Sequence, residues 1–217
     1  MDSAPVGDRT GGLAAYRARV AREKRSAILD AAVASFLDAG YDRTTLEQVA
    51  RAADVSTGTL FKHFPTKAAL FGAIMARVWE GGAGPGAPAP PPAGDPRRGL
   101  AAIGMNYARL LRAPNVEGLF RVIVAEAPRF PELGRELYER GKKPYLDDLH
   151  RYLEAERAAG TLEVGDVEMA ARQFLGMIND VIFWPRFLVV DLEVGDAEVR
   201  RVVSEAVETF AARYARR

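Results

Sequence analysis

Residues 44–70 read TTLEQVARAADVSTGTLFKHFPTKAAL, and their spacing predicts two short helices joined by a tight turn, with a third starting directly after. Thr44 stands where an N-cap belongs, and Glu47 is placed to reach back and close a capping box. Leu46, Val49 and Ala50 then share one face, the candidate buried side. Asp54 sits where the chain must turn sharply, and Val55 is the apolar plug of that turn. Ser56 offers a second capping oxygen, for a helix running from Thr57 to His63. Leu60 and Phe64 point inward, which leaves Thr57, Gly58, Thr59 and Lys62 on the opposite face. Such a face packs poorly against protein but fits a DNA major groove, the logic of a helix-turn-helix. Helical hairpins that only fill a core share these caps and small residues, so spacing alone leaves that alternative open.

Taken whole, the string resembles the N-terminal DNA-binding domain of the TetR family of transcriptional regulators. The resemblance rests on Gly40-Tyr41, Thr44-Thr45, Ala53-Asp54-Val55-Ser56, Gly58-Thr59-Leu60-Phe61, His63-Phe64 and Lys67, and extends without a gap over roughly residues 24 to 75. Two departures bear on its meaning. The family usually has Gly where Asp54 stands, and Asp is one of the few side chains that enter the left-handed region routinely. The family usually has Tyr at Phe61, so one phosphate hydrogen bond is expected to be missing; the Glu that follows the family's Lys is Ala68 here. The DNA-facing set is then Arg25, Thr44, Thr45, Ser56, Thr57, Gly58, Thr59, Phe61, Lys62, His63 and Lys67. Lys62, His63 and Lys67, with Thr44 or Thr45, are expected to hold phosphates, while Thr57, Gly58 and Thr59 approach base edges.

Outward from this stretch, the 217-residue chain carries a net charge of +1, so bulk charge does not announce a nucleic-acid partner. Local charge does: Arg9, Arg17, Arg19, Arg22, Lys24 and Arg25 face a single acid, Glu23, over one short run. Such a run is commonly a solvated helix face; placed before a helix-turn-helix it suits phosphate contact. There is no cysteine, which excludes disulfides and thiolate metal sites, and neither metal nor cofactor is expected. No apolar run reaches membrane-spanning length and the start lacks a signal-peptide core, so no membrane partner and a cytoplasmic location are expected.

Helical periodicity dominates. The expected architecture is all-α, a three-helix helix-turn-helix domain followed by a C-terminal antiparallel helical bundle, about nine helices in all. Its parts are a basic, partly disordered arm over 1–23, the DNA-binding domain over 24–80, a Gly/Pro-rich loop over 81–96 and a ligand-binding and dimerisation domain over 97–217. The first helix is expected from about Tyr16 or Ala18, with Gly40 as its stop, and the fourth from Thr66 or Lys67. Beyond the loop, Asp95-Pro96, Asn115, Pro131, Asp166 and Asp196 mark five helix starts. Gly141 and Pro144 predict a kink within the third of these. Phe120 to Glu139 resembles the C-terminal domain of an AefR-like TetR subgroup.

Residues 174–190, FLGMINDVIFWPRFLVV, are apolar nearly all round and need cover on every side. Val199, Val203, Val207 and Phe210 repeat the pattern in the last helix. In the family the last two helices pair with their copies, so a homodimer is expected through Phe183, Phe187, Val199, Val203, Val207 and Phe210. The resemblance also implies a ligand cavity, with Met105, Tyr107, Phe120, Phe130, Tyr145, Phe174, Met177, Asp180 and Trp184 as candidates around an effector that is apolar or aromatic in part. Met and aromatic stripes are more often plain core, and Asn179-Asp180 reads first as a satisfied buried network or a register-fixing polar contact at the dimer seam, and second as an orienting group in the pocket.

These readings converge on a ligand-responsive regulator, a repressor that binds a palindromic double-stranded DNA operator and is released by a small-molecule effector. A constitutive DNA-binding protein without effector is the nearest rival. A helical-bundle enzyme is the remote one, since no Glu-x-x-His pair of a di-iron bundle occurs.

Overall fold

The computed structural model describes residues 9–83 and 91–216. The tip of the basic arm and the middle of the Gly/Pro segment lie outside the described residues. Eleven α-helices are present among the described residues: α1 (Arg9–Arg43), α2 (Leu46–Ala52), α3 (Thr57–His63), α4 (Lys67–Ala83), α5 (Pro96–Leu111), α6 (Val116–Glu126), α7 (Pro131–Glu136), α8 (Lys143–Ala158), α9 (Val167–Ile182), α10 (Trp184–Leu188) and α11 (Asp196–Tyr214). A π-helical segment, Leu137–Lys142, joins α7 to α8. The described residues contain no strand, only an isolated antiparallel bridge between Leu162 and Ala215. None of the helices is long and apolar enough to cross a membrane.

The fold is all-α, with two helices more than expected, and proline accounts for both. Pro144 has no N–H to return to the carbonyl of residue 140, and the chain widens into a π turn directly before it. The helix expected from Pro131 onward is thereby divided into α7 and α8. Pro185 likewise cannot donate to residue 181, and α9 gives way to α10 at Phe183.

Two compact units divide the chain, Met1–Ala73 and Ile74–Arg217. In the first, α1 is longer than its apolar stripe: it starts at Arg9, not near Tyr16, and its side chains from Leu13 to Arg19 stand in solvent. The buried stripe follows, with Ile28, Leu29, Ala32 and Phe36 each at most 1% exposed. Gly40 breaks the helix at φ 80° and ψ 171°, a backbone state open to glycine at no steric cost. Phe36, Tyr41 and Phe71 then meet in a triangle, with ring centroids 5.5 to 5.7 Å apart. Phe71 meets both other rings edge-on, contacts that add to the burial of the three rings.

In the second unit α5 lies against α9 and α11 around Gly104. A Cβ there would come within 2.9 Å of Val203, 3.1 Å of Ile178 and 3.3 Å of Phe174, so only hydrogen lets the helices close. The core also takes in Leu100, Leu153, Ala170 and Phe210. Glu156 is fully buried with no cation beside it among the described residues, its carboxylate accepting from Gly94 N (2.9 Å), Tyr152 Oη (2.5 Å) and Thr161 Oγ1 (2.5 Å). Three neutral donors replace the lost water, which is what a buried carboxylate requires.

Candidate nucleic-acid interface and ligand cleft

The two short helices are built by reciprocal caps. At α2 the cap is Thr45, whose Oγ1 accepts from Gln48 N at 3.2 Å while Gln48 Oε1 accepts from Thr45 N at 2.8 Å. The capping box therefore lies one residue beyond the expected Thr44–Glu47 pair. Thr44 is 1% exposed and shares its hydroxyl proton between Gly40 O (2.8 Å) and Ser35 O (3.1 Å), so it belongs to the core and not to a DNA-facing surface. The turn runs through Asp54 at φ 52°, the left-handed state expected of it, and Val55 N closes onto Ala50 O at 3.0 Å.

Ser56 caps α3, accepting from Thr59 N at 3.2 Å, and its hydroxyl also bonds that of Thr59 at 2.8 Å. Thr59 is thus partly occupied by the cap. Thr57, Gly58, Phe61 and Lys62 stand exposed on the outer side, while Leu60 is wholly buried. Gly58 has helical backbone, and a Cβ added there would meet nothing within 4 Å. Neither its backbone nor its neighbours in the chain require glycine, although a glycine inside a helix costs about 1 kcal/mol relative to alanine. His63 is half-buried against Phe64, and exposed Arg25 holds its guanidinium 5.2 Å from the centre of the Phe64 ring.

Lys67 departs from its expected role. Its ammonium donates to the carbonyls of Tyr41 (2.6 Å), Asp42 (3.0 Å) and Thr44 (3.0 Å), and sits 4.5 Å from the centre of the Tyr41 ring. It closes the broken end of α1, satisfying carbonyls that have no helical donor. A phosphate-binding lysine would hold those donors toward solvent. The need was present in the sequence at Gly40, but the partner lies 27 residues away and only folding joins them.

In the second unit, most of the nine expected ligand residues are engaged in packing. Tyr107 and Tyr145 are buried, their rings 5.2 Å apart; Tyr145 Oη donates to Ile103 O at 2.8 Å and Tyr107 Oη to Asn179 Oδ1 at 3.4 Å. Burial pushes the Tyr107 phenol up to about 12, and burial followed by Tyr107 and Asp148 raises that of Tyr145, so both remain neutral donors. Phe174 is fully buried against Phe210, Phe120 packs on Phe183, and Met177 lies at the core's edge. Phe130 occupies the N-cap position of α7, half-buried, with Arg129 over its ring. Asp180 and Trp184 are exposed. Asn179, not Asp180, is the polar group turned into the domain.

Of the nine, Met105 lines a cleft of this unit, a space of about 660 Å³ that also meets Arg109, Arg112, Pro114, Asp196, Val199 and Arg200. Arg112 donates to Asp196 at 2.6 Å and Arg109 to Asn106 at 2.8 Å. The Asp196 carboxyl is held below the usual carboxylate range, first by Arg112 and in smaller part by Arg200. Asp196 is the first residue of α11 and Gly195 its cap, and Asn115 makes no side-chain cap at α6, both unlike the sequence expectation. The three arginines carry no joint signal in the sequence: Arg109 lies on α5, Arg112 just past its end, and Arg200 comes from α11.

The expected dimer contacts need the same revision. Val199, Val203, Val207, Phe210 and Phe183 are each 2–4% exposed within one chain, and Phe187 is half-buried beside Phe183 and Trp184. Their apolar stripe is turned to their own core. The side chains left in solvent include Met169 (50% exposed), Val181 (38%), Trp184 (45%), Leu188 (72%) and Val190 (69%).

A capped seven-residue helix with a small, polar outer face, entered through a left-handed turn, defines a helix-turn-helix protein. Residues 28–74 match the family model of bacterial regulatory proteins of the tetR family, and residues 98–216 match that of the AefR-like transcriptional repressor C-terminal domain. The chain belongs to the TetR family of transcriptional regulators, with a C-terminal domain of the AefR-like kind. It is 41% identical over 59 residues to the HTH-type transcriptional repressor KstR of Rhodococcus jostii, a match covering 27% of this chain and 28% of that one. Against the HTH-type transcriptional regulator RutR of Escherichia coli it is 40% identical over 64 residues, 30% of each chain. Its match thus spans less than a third of these relatives. Over nearly the whole chain it resembles a putative TetR-family regulator from Mesorhizobium loti (28% identity, TM-score 0.73, 90% of this chain and 98% of that one). The Flavonoid-responsive Regulator FrrA is similar as well (27% identity, TM-score 0.74, 89% and 98%).

Proposed function

We propose that this regulator is a repressor that binds a palindromic operator as a homodimer and leaves it when a small molecule occupies the C-terminal unit. The observation that carries the DNA reading is Gly58. A helix position that tolerates a side chain within its own chain, yet holds glycine on an exposed face, suits close approach of a phosphate or a base edge. Thr57, Phe61 and Lys62 flank it, and α3 of each protomer would read one half-site, about 34 Å from the other along the duplex. Thr45, Ser56, Thr59 and His63 serve mainly to hold α3 and its approach.

Dimerisation is proposed through the exposed apolar side chains of α9, α10 and the residues after them. Large apolar side chains left exposed in number commonly mark a protein partner. Fluorescence anisotropy with DNA flanking the regulator's own gene tests the reading: the chain should bind one site with two protomers, and Gly58→Ala should abolish preference for it. Equal affinity for unrelated DNA would defeat the proposal, and a monomer in sedimentation at binding concentrations would defeat its dimeric part. Val181→Glu should lower both dimerisation and operator affinity.

A further inference from the structure

We infer that the cleft between α5 and α11 takes an amphipathic carboxylate, a ligand with one anionic head and an apolar body. This rests on the effector reading above and names the chemistry of its ligand. Three guanidiniums, Arg109, Arg112 and Arg200, line the cleft against one carboxylate, Asp196. Asp196 is already bonded to Arg112, and Arg109 bonds the neutral amide of Asn106. Arg200 makes no hydrogen bond among the described residues, though it acts on Asp196 through its charge. The cleft therefore keeps an excess of positive charge after its internal pairing.

Arginine's planar fork matches a carboxylate with two parallel hydrogen bonds, and Arg109 and Arg200 approach from different helices. The wall between them is apolar: Val199 is 2% exposed and Met105 is half-buried. A volume of about 660 Å³ lies in the range of small-molecule sites, roughly 300–1,000 Å³. A purely inorganic anion would leave that apolar wall in water, and an uncharged apolar ligand would strand guanidiniums without partners. Only a molecule with both parts answers the whole lining. In the aromatic core of the unit the tyrosine hydroxyls are already tied to Ile103 and Asn179.

Calorimetric titration of the full chain with octanoate tests this, with 1-octanol as the uncharged counterpart and acetate as the head without the tail. Octanoate should bind one per chain, at least about tenfold more tightly than either, the scale of one charge-assisted contact. The double variant Arg109→Gln/Arg200→Gln should remove most of that advantage without changing thermal stability, since both side chains are exposed. Met105→Gln should weaken octanoate and octanol alike. No binding, equal binding of octanoate and octanol, or unchanged octanoate affinity in the double variant would overturn the inference. So would a shift of the double variant to smaller species in sedimentation with no ligand bound, which would assign the cleft to contact between copies. Operator affinity of the ligand-free wild type is measured alongside. A chain that binds operator but not octanoate defeats this inference alone, and one that binds octanoate but no operator defeats the DNA reading instead.

Discussion

Gly58 and Gly99 both lie in helices, yet one faces open space and the other is pressed against the buried Tyr152. A Cβ at Gly58 would touch nothing, whereas at Gly99 it would stand 1.7 Å from the Tyr152 hydroxyl. The contrast holds for the regions that carry them. The helix-turn-helix is assembled from local pieces, each cap serving a residue two or three positions away, and its outer face is left unused by the fold. The C-terminal unit is assembled from distant pieces, and it uses glycine so that helices and a buried tyrosine can come together. A residue the fold does not need is a candidate for function; a residue the fold crowds around is a candidate for stability.

The strongest way to break this comparison is Gly99→Ala. The new methyl must displace Tyr152 from the Glu156 carboxylate, and the expected loss is about 2–4 kcal/mol in denaturant unfolding. A loss below about 1 kcal/mol would show that the crowding relaxes cheaply. Lys67→Ala follows, at about 2–3 kcal/mol, because three carbonyls lose a charged donor. Its operator affinity should fall only as far as folding does, with the salt dependence unchanged. Lys62→Ala should behave in the opposite sense, leaving stability alone and reducing the slope of log affinity against log salt by about 1. If Lys67→Ala lowers the slope instead, the ammonium reaches phosphate and the structural role assigned to it is wrong.

Gly58→Ala sharpens the other side. Thermal unfolding should be unchanged or raised by up to about 1 kcal/mol, while operator affinity falls at least about tenfold. An affinity that survives the methyl would remove the observation on which the DNA-facing surface rests. Phe61→Tyr is the smallest effect: a phenol added at a 42% exposed position should gain a phosphate hydrogen bond of about 0.5–1.5 kcal/mol, several-fold in affinity. No gain would mean that Phe61 does not stand beside the backbone of the DNA.

The same division separates what was legible from what was not. Asp54 in the left-handed region, Ser56 as a cap and Leu60 as an anchor follow from spacing alone, since each depends on neighbours within one turn of helix. Thr44 and Lys67 were misread because their partners, Ser35 and the carbonyls from Tyr41 to Thr44, are reached only through the fold. The aromatic candidates failed for a related reason. A Phe or Tyr at helical spacing declares that it will be buried, but not whether a ligand or another helix will bury it. Here Phe174 meets Phe210 and Tyr107 meets Tyr145.

By itself the sequence determined the helical class, the caps at Ser56, Asp95 and Asp166, and the turn, because propensity, capping and hydrophobic period act over a few residues. It also marked Pro144 as an interruption, since a missing N–H breaks a helix wherever it falls. Only the tertiary structure decided which apolar faces of α9 and α11 turn inward. It also decided that Lys67 closes α1, and that three arginines from two helices share one cleft. Those outcomes depend on contacts between residues tens of positions apart, whose geometry no local pattern encodes.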